Sequence, residues 1–196
     1  MKRFIKILIS SFVIAVVISM LPFKGACEDL YKDVFRLHII PNSNSAMDQS
    51  LKLNVRDEIL AAVSPLYKNI KTKTQAQNIT RNNLKYIEKT AQDIVRKNGF
   101  DYSVSVDVKN IYFNTRYYDN FTMPAGMYDA LEITIGEGKG SNWWCVMYPS
   151  LCVGAATKES MKKDLSEKEY SVVTSENVEY KFKIVEYYEK LRSYFR

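Results

Sequence analysis

Apolar residues along this chain change period several times, and each change marks an element. Behind Lys2, Arg3 and Lys6 comes a largely apolar run from Ile7 to Phe23, the order of a secretory signal or membrane anchor. Pro22 and Gly25-Ala26-Cys27 look like the end of a cleavable peptide, and cleavage and retention as an anchor both fit. Lys24 occupies the position where a lipobox carries an aliphatic residue, which argues against lipidation at Cys27. Residues 1–27 are therefore read as a signal or anchor segment, and 30–196 as one extracytoplasmic domain.

The domain opens on a short strand from Val34 to Ile40, ended by the turn residues Pro41-Asn42-Ser43-Asn44. Ser45 and Asp48 match a capping box, and Leu51, Val55, Ile59, Ala62 and Leu66 then recur as one helical stripe. Another face of this helix carries Ser45, Asp48, Gln49, Lys52 and Arg56, with Asp48 and Lys52 spaced as an i,i+4 pair; it reads first as a solvated face and second as a docking surface. Thr72 and Gln75 cap a further helical segment whose stripe of Leu84, Ile87, Ala91 and Ile94 ends at Asn98-Gly99. The two segments predict a helical hairpin.

Strict alternation follows. Tyr102, Val104, Val106 and Val108 share one face of a strand, and Ile111, Phe113, Thr115 and Tyr117 continue with the opposite parity, which predicts a kink or bulge near Lys109-Asn110. Met127 to Ile135 alternates again and should pair antiparallel with residues 102–117. Gly136, Gly138 and Gly140 break it ahead of Trp143, Trp144, Cys145, Tyr148 and Cys152. From 155 to 179 charge dominates and periodicity fades, a solvated loop with one short helix. Ile184, Tyr187, Tyr188, Leu191 and Phe195 line one face of a terminal amphipathic helix, expected to dock on the domain. The fold class is α+β: an antiparallel sheet covered by a helical hairpin, with a C-terminal helix, behind the N-terminal segment.

Charge and chemistry narrow the function. The formal net charge of +6 includes Lys2, Arg3 and Lys6 at the head of the N-terminal segment, and the remaining Lys and Arg form no stripe, so a nucleic-acid surface is not indicated. GEGKGS lacks the spacing of a phosphate-binding loop. His38 is the only histidine, and neither HExxH nor CxxC occurs, so no metal and no cofactor is implied. A Cys-His pair from His38 with Cys145 or Cys152 would need hydrogen-bond reach and an orienting third group; a histidine within a strand more often has a structural role. No catalytic residue and no small-molecule substrate is assigned.

Two blocks carry a resemblance. MPAGMYDALEITIGEGKGSNWWCVMYPSLC (123–152) is similar to the glycine-tryptophan-cysteine signature of the stage II sporulation protein R family, and RLHIIPNSNSAMDQSLKLNVRD (36–57) resembles that family's opening motif. Asn44 stands where the family has aspartate, Pro41 where it has alanine, and Ser150 where it has a second proline. The resemblance implies a non-enzymatic sporulation signal, exported from the forespore into the space between two membranes. There it triggers a membrane-embedded aspartic protease that processes the precursor of a mother-cell sigma factor. It also implies that arginine can replace His38, which does not suit a general base. The other reading is a secreted cysteine or acid-base hydrolase acting on wall or peptide substrates.

On the first reading, Asn42, Ser43, Asp48, Gln49, Lys52, Arg56, Trp143, Trp144 and Tyr148 are the expected partner-binding residues, with membrane contact through the N-terminal segment. Cys145 and Cys152 are expected to form a disulfide, since an exported compartment permits it and six intervening residues with Pro149 can close a small loop. Two buried thiols and one reactive thiol are the competing readings.

Overall fold

Strand β1 (Phe35–Ile40) lies inside the sheet and is buried on both sides along almost its whole length, although Arg36 and His38 alternate in it with Phe35, Leu37 and Ile39. In this computed structural model, which describes residues 2–118, 121–149, 162, 165–174 and 179–193, the four-stranded sheet has the order β2-β5-β1-β6. Its other strands are β2 (Val104–Phe113), β5 (Gly126–Ile135) and β6 (Trp143–Tyr148). As expected, β2 and β5 pair antiparallel, Val104 opposite Ile135 through Phe113 opposite Gly126. The sheet is nevertheless mixed: β1 runs parallel to β5 and antiparallel to β6. Everything from α2 to the start of β5 crosses over between β1 and its parallel neighbour, a connection that hairpin reasoning does not anticipate.

The anticipated kink in β2 is absent; the ladder runs unbroken through Lys109 and Asn110. Parity changes because the strand serves two cores. Val104 and Val108 pack beneath the helices with Leu131, Ile133 and Ile135, whereas Phe113 packs on the opposite face with Tyr128 and Ala130, and Ile111 packs against that cluster. Beyond Phe113 the chain turns into a separate two-stranded ribbon, β3 (Arg116–Tyr117) with β4 (Thr122–Met123).

One face is covered by α2 (Ala46–Val63), a 3-10 turn (Ser64–Tyr67), α3 (Lys73–Asn82) and α4 (Leu84–Lys97), so the second segment of the expected hairpin is two helices divided at Asn83. Ser45 and Thr72 cap α2 and α3 by accepting from the backbone N–H of Asp48 (3.1 Å) and Gln75 (3.2 Å). Leu51, Val55, Ile59, Ile87, Ala91 and Ile94 meet the sheet in one core. The other face is covered too. Leu30 and Val34, at the end of α1 (Lys2–Asp33) and just past it, join Val173 of α5 (Glu167–Thr174) over Phe113, Met123, Tyr128 and Val146. The architecture is therefore α+β with both sheet faces covered, rather than one.

Helix α1 runs without a break through position 27. Phe23, Ala26 and Cys27 are buried against Val172 of α5 and Phe182 and Val185 of α6 (Glu179–Ser193), while Phe4, Ile7, Phe12 and Ile18 are exposed. Among the described residues no helix is long and apolar enough to cross a membrane. Helix α6 docks through Phe182 and Val185; of the expected stripe, Ile184 and Tyr187 are exposed, Tyr188 is exposed but accepts from Lys24 Nζ at 3.1 Å, and Phe195 lies outside the described residues.

Candidate functional site

The asparagine turn after β1 and the glycine loop after β5 lock onto each other, with the first turns of α2 beneath them. Asn42 lies at the centre. Its Oδ1 accepts from the Glu137 backbone N–H (3.0 Å), its carbonyl accepts from Lys139 N–H (3.2 Å), and its Nδ2 donates to Asp48 Oδ2 (3.1 Å). Ser43 Oγ donates to the same carboxylate oxygen at 2.5 Å, and Gln49 Nε2 donates to the Ser43 carbonyl at 3.0 Å. Asn44 Oδ1 accepts from Ser141 N–H at 2.6 Å, an acceptor's task that asparagine and aspartate both perform. Lys52 closes the far side by donating to Gln49 Oε1 (2.6 Å) and to the Ser141 carbonyl (2.9 Å). Glycine is needed at 140 because a Cβ there would collide with the Ser43 carbonyl; Gly136 turns with φ +61° beside Asn42.

Asp48 and Lys52 are thus 3% and 6% exposed, which corrects the solvated reading of their stripe. Their i,i+4 spacing is not used as an ion pair: Lys52 goes to Gln49 and Ser141, and Asp48 to Asn42 and Ser43. Burial alone would push the Asp48 carboxyl up, but the hydrogen bonds from Ser43, Asn42, Tyr102 and Ser45 together hold it below its usual range. Burial, together with the nearby Arg56 charge, lowers the Lys52 ammonium.

The same helix carries Arg56 out from under the loop, its guanidinium 4.3 Å from the Trp143 ring centre and bonded to Asp57 at 2.7 Å. Gln49, Arg56, Trp143 and Tyr148 are all half-buried. Trp143 and Trp144 are consecutive in β6 and so leave opposite faces of the sheet. Trp143 packs toward the helices; Trp144 stacks on His38 at 3.8 Å, across the sheet. The structure therefore gathers Asn42, Ser43, Asp48, Gln49, Lys52, Arg56 and Trp143 into one neighbourhood and places Trp144 outside it. Cys145 is buried and disulfide-bonded; its expected partner Cys152 lies outside the described residues.

His38 and Cys145 do not form a dyad. In the β1–β6 register Cys145 opposes Leu37 and His38 opposes Trp144, so thiol and imidazole leave opposite faces. His38 Nδ1 lies 3.1 Å from Glu132 Oε2, whose other oxygen accepts from Lys109 at 2.6 Å. Sequence reasoning passed over Arg36, which is fully buried, and Arg116 beside it. The signal was a charged residue within VFRLHII. The part played by the Ser141 backbone carbonyl left no mark in the sequence. Among the described residues, no three His, Cys, Asp or Glu side chains group as metal ligands.

The two motif blocks of this α+β domain meet as one turn-loop clamp. The chain belongs to the stage II sporulation protein R family, whose sequence profile matches residues 31–158. It is similar to Stage II sporulation protein R of Bacillus subtilis (strain 168), with 40% identity over 139 residues, 68% of this chain and 62% of that relative. The matched segment is thus less than two thirds of the relative's length. No solved structure matches. Membership makes this a sporulation protein.

Proposed function

We propose that this domain is an exported, non-enzymatic sporulation signal that binds a membrane-embedded aspartic protease and shifts it to its active arrangement, so that a mother-cell sigma precursor is processed. The reading rests on one observation: the two motif blocks that carry the family resemblance meet in space at the clamp and present Gln49, Arg56 and Trp143 beside it. A partner surface gains from such preorganisation, because less ordering is left to the moment of binding. Tryptophan and arginine are also the residue types that most often carry binding energy at interfaces. Asp48 and Lys52 contribute by holding the loop rather than by touching the partner. To switch the protease, the domain must bind its active arrangement more tightly than its resting one.

The separation of His38 and Cys145 across the sheet disfavours a hydrolase built on that pair; Cys152, the other cysteine of that reading, lies outside the described residues. Co-expression with the protease and the sigma precursor in a heterologous cell tests the proposal: processing should depend on this chain and fall in Arg56→Glu and Trp143→Ala variants that fold normally. Processing that is equal with and without this chain would overturn it.

A further inference from the structure

On the sheet face away from the helices α2 to α4, three nitrogens are buried without a hydrogen-bond partner among the described residues: Arg36 Nη1, His38 Nε2 and Arg116 Nε. Arg36 is 0% exposed and His38 5%. The other nitrogens of Arg36 are used, Nε donating to the Cys145 carbonyl (3.4 Å) and Nη2 to Tyr118 Oη (2.9 Å). The three side chains are neighbours. Arg36 and His38 are two residues apart on one strand face, so about 7 Å apart along the strand. Trp144 stacks on His38 at 3.8 Å, and the Arg116 guanidinium lies 5.0 Å from the Trp144 ring centre. Phe113 joins them, 4.5 Å from Trp144 and 4.0 Å from the Arg36 guanidinium.

Among the described residues the charges around this point do not balance. Glu132 is shared between His38 and Lys109, and among the described residues neither Arg36 nor Arg116 forms an ion pair. A buried guanidinium without a counter-charge costs several kcal/mol even after relaxation, and an anion would relieve it. The aromatic side chains around the site, Phe113, Tyr128 and Trp144, favour a small planar anion that two guanidinium groups can hold. Glu132 nearby disfavours a dianion.

We propose that Arg36, His38 and Arg116 form a carboxylate-binding site beneath Trp144, with Arg36 Nη1, Arg116 Nε and a protonated His38 Nε2 donating to the carboxylate oxygens. The proposal goes beyond the protease-switch reading and does not depend on it. Arg116 and Tyr118 are half-buried. The groups facing His38 are Arg36 on its own strand, Glu132 on β5 with Lys109 of β2 behind it, Arg116 on β3, and the Trp144 and Phe113 rings. In the unliganded site burial, reinforced by the two arginines, lowers the His38 imidazole despite Glu132. An added carboxylate reverses that balance, so binding takes up a proton.

Titration of the full chain with sodium acetate, with a blocked peptide carrying one aspartate, and with inorganic phosphate, following the Trp144 indole and His38 imidazole by NMR, tests this. Saturable shifts with acetate or the peptide are expected, and binding should weaken at least about tenfold in Arg116→Gln. Saturation by both shows a site for any small carboxylate; saturation by the peptide alone assigns it to an acidic side chain of a partner. Should Arg116→Gln fail to fold, calorimetry of the wild type in two buffers of different ionisation enthalpy decides, with net proton uptake expected. Absence of saturable shifts, saturation by phosphate alone, unchanged affinity in folded Arg116→Gln, or binding without proton uptake would each overturn the site.

Discussion

Asp48 is a carboxylate that the protein has removed from water and then surrounded with donors, and its titration is the clearest single-residue consequence of the fold. Because its folded pKa lies below the ordinary value of 3.8, the group contributes stability that is complete above that value and is lost as pH falls through the folded pKa. Denaturant unfolding from pH 6 downward should show that loss in the wild type and a flatter acid limb in Asp48→Asn. Lys52 is the companion case. Lys52→Met keeps much of the stem but leaves the Ser141 carbonyl unpartnered, and should cost about 1–3 kcal/mol in chemical denaturation; an unchanged midpoint would show that water replaces the ammonium. Neither burial was legible from the helical phase of Ser45, Asp48, Gln49, Lys52 and Arg56. The stripe looked solvated because the segment that closes over it, residues 136–141, lies some eighty residues further on, and a helix wheel contains no such partner.

At the scale of elements, local periodicity succeeded where the partner was also local. The caps at Ser45 and Thr72, the buried Leu51, Val55 and Ile59 of α2 and Ile87, Ala91 and Ile94 of α4, and the β2–β5 ladder all follow from spacing read within one window; at the end of α2 Val63 is buried where the stripe placed Ala62. It failed where an element faces two environments. The parity change at Lys109-Asn110 resembled a bulge because a single apolar face was assumed; β2 instead passes from the helical core to the opposite core. Helix α6 misled in the same way, since two residues, Phe182 and Val185, dock it while its more conspicuous Tyr187 and Tyr188 are exposed. The glycine loop is the element whose sequence is most constrained. Gly140→Ala sets a Cβ against the Ser43 carbonyl, a backbone atom that cannot swing aside. It should destabilise the domain by about 1–3 kcal/mol and weaken protease activation beyond what the stability loss explains. Wild-type stability in Gly140→Ala would mean that the clamp opens without strain.

For the molecule as a whole, the two motif blocks, 36–57 and 123–152, are far apart in sequence and joined in space, and that union supports the signalling proposal. The expected disulfide between Cys145 and Cys152 would tie the end of β6 to the segment that follows. Thiol counting by mass spectrometry on exported protein should find both cysteines oxidised, and two reactive thiols there would remove the tie. The central claim is that the domain acts by occupancy and not by chemistry. The most direct measurement reconstitutes the protease with its sigma precursor in vesicles, titrates in this domain, and then washes it out. Processing should rise with bound domain, saturate when the protease is filled, and decline once the domain is removed. Full processing from substoichiometric domain that persists after its removal would contradict a binding switch and point to an enzyme.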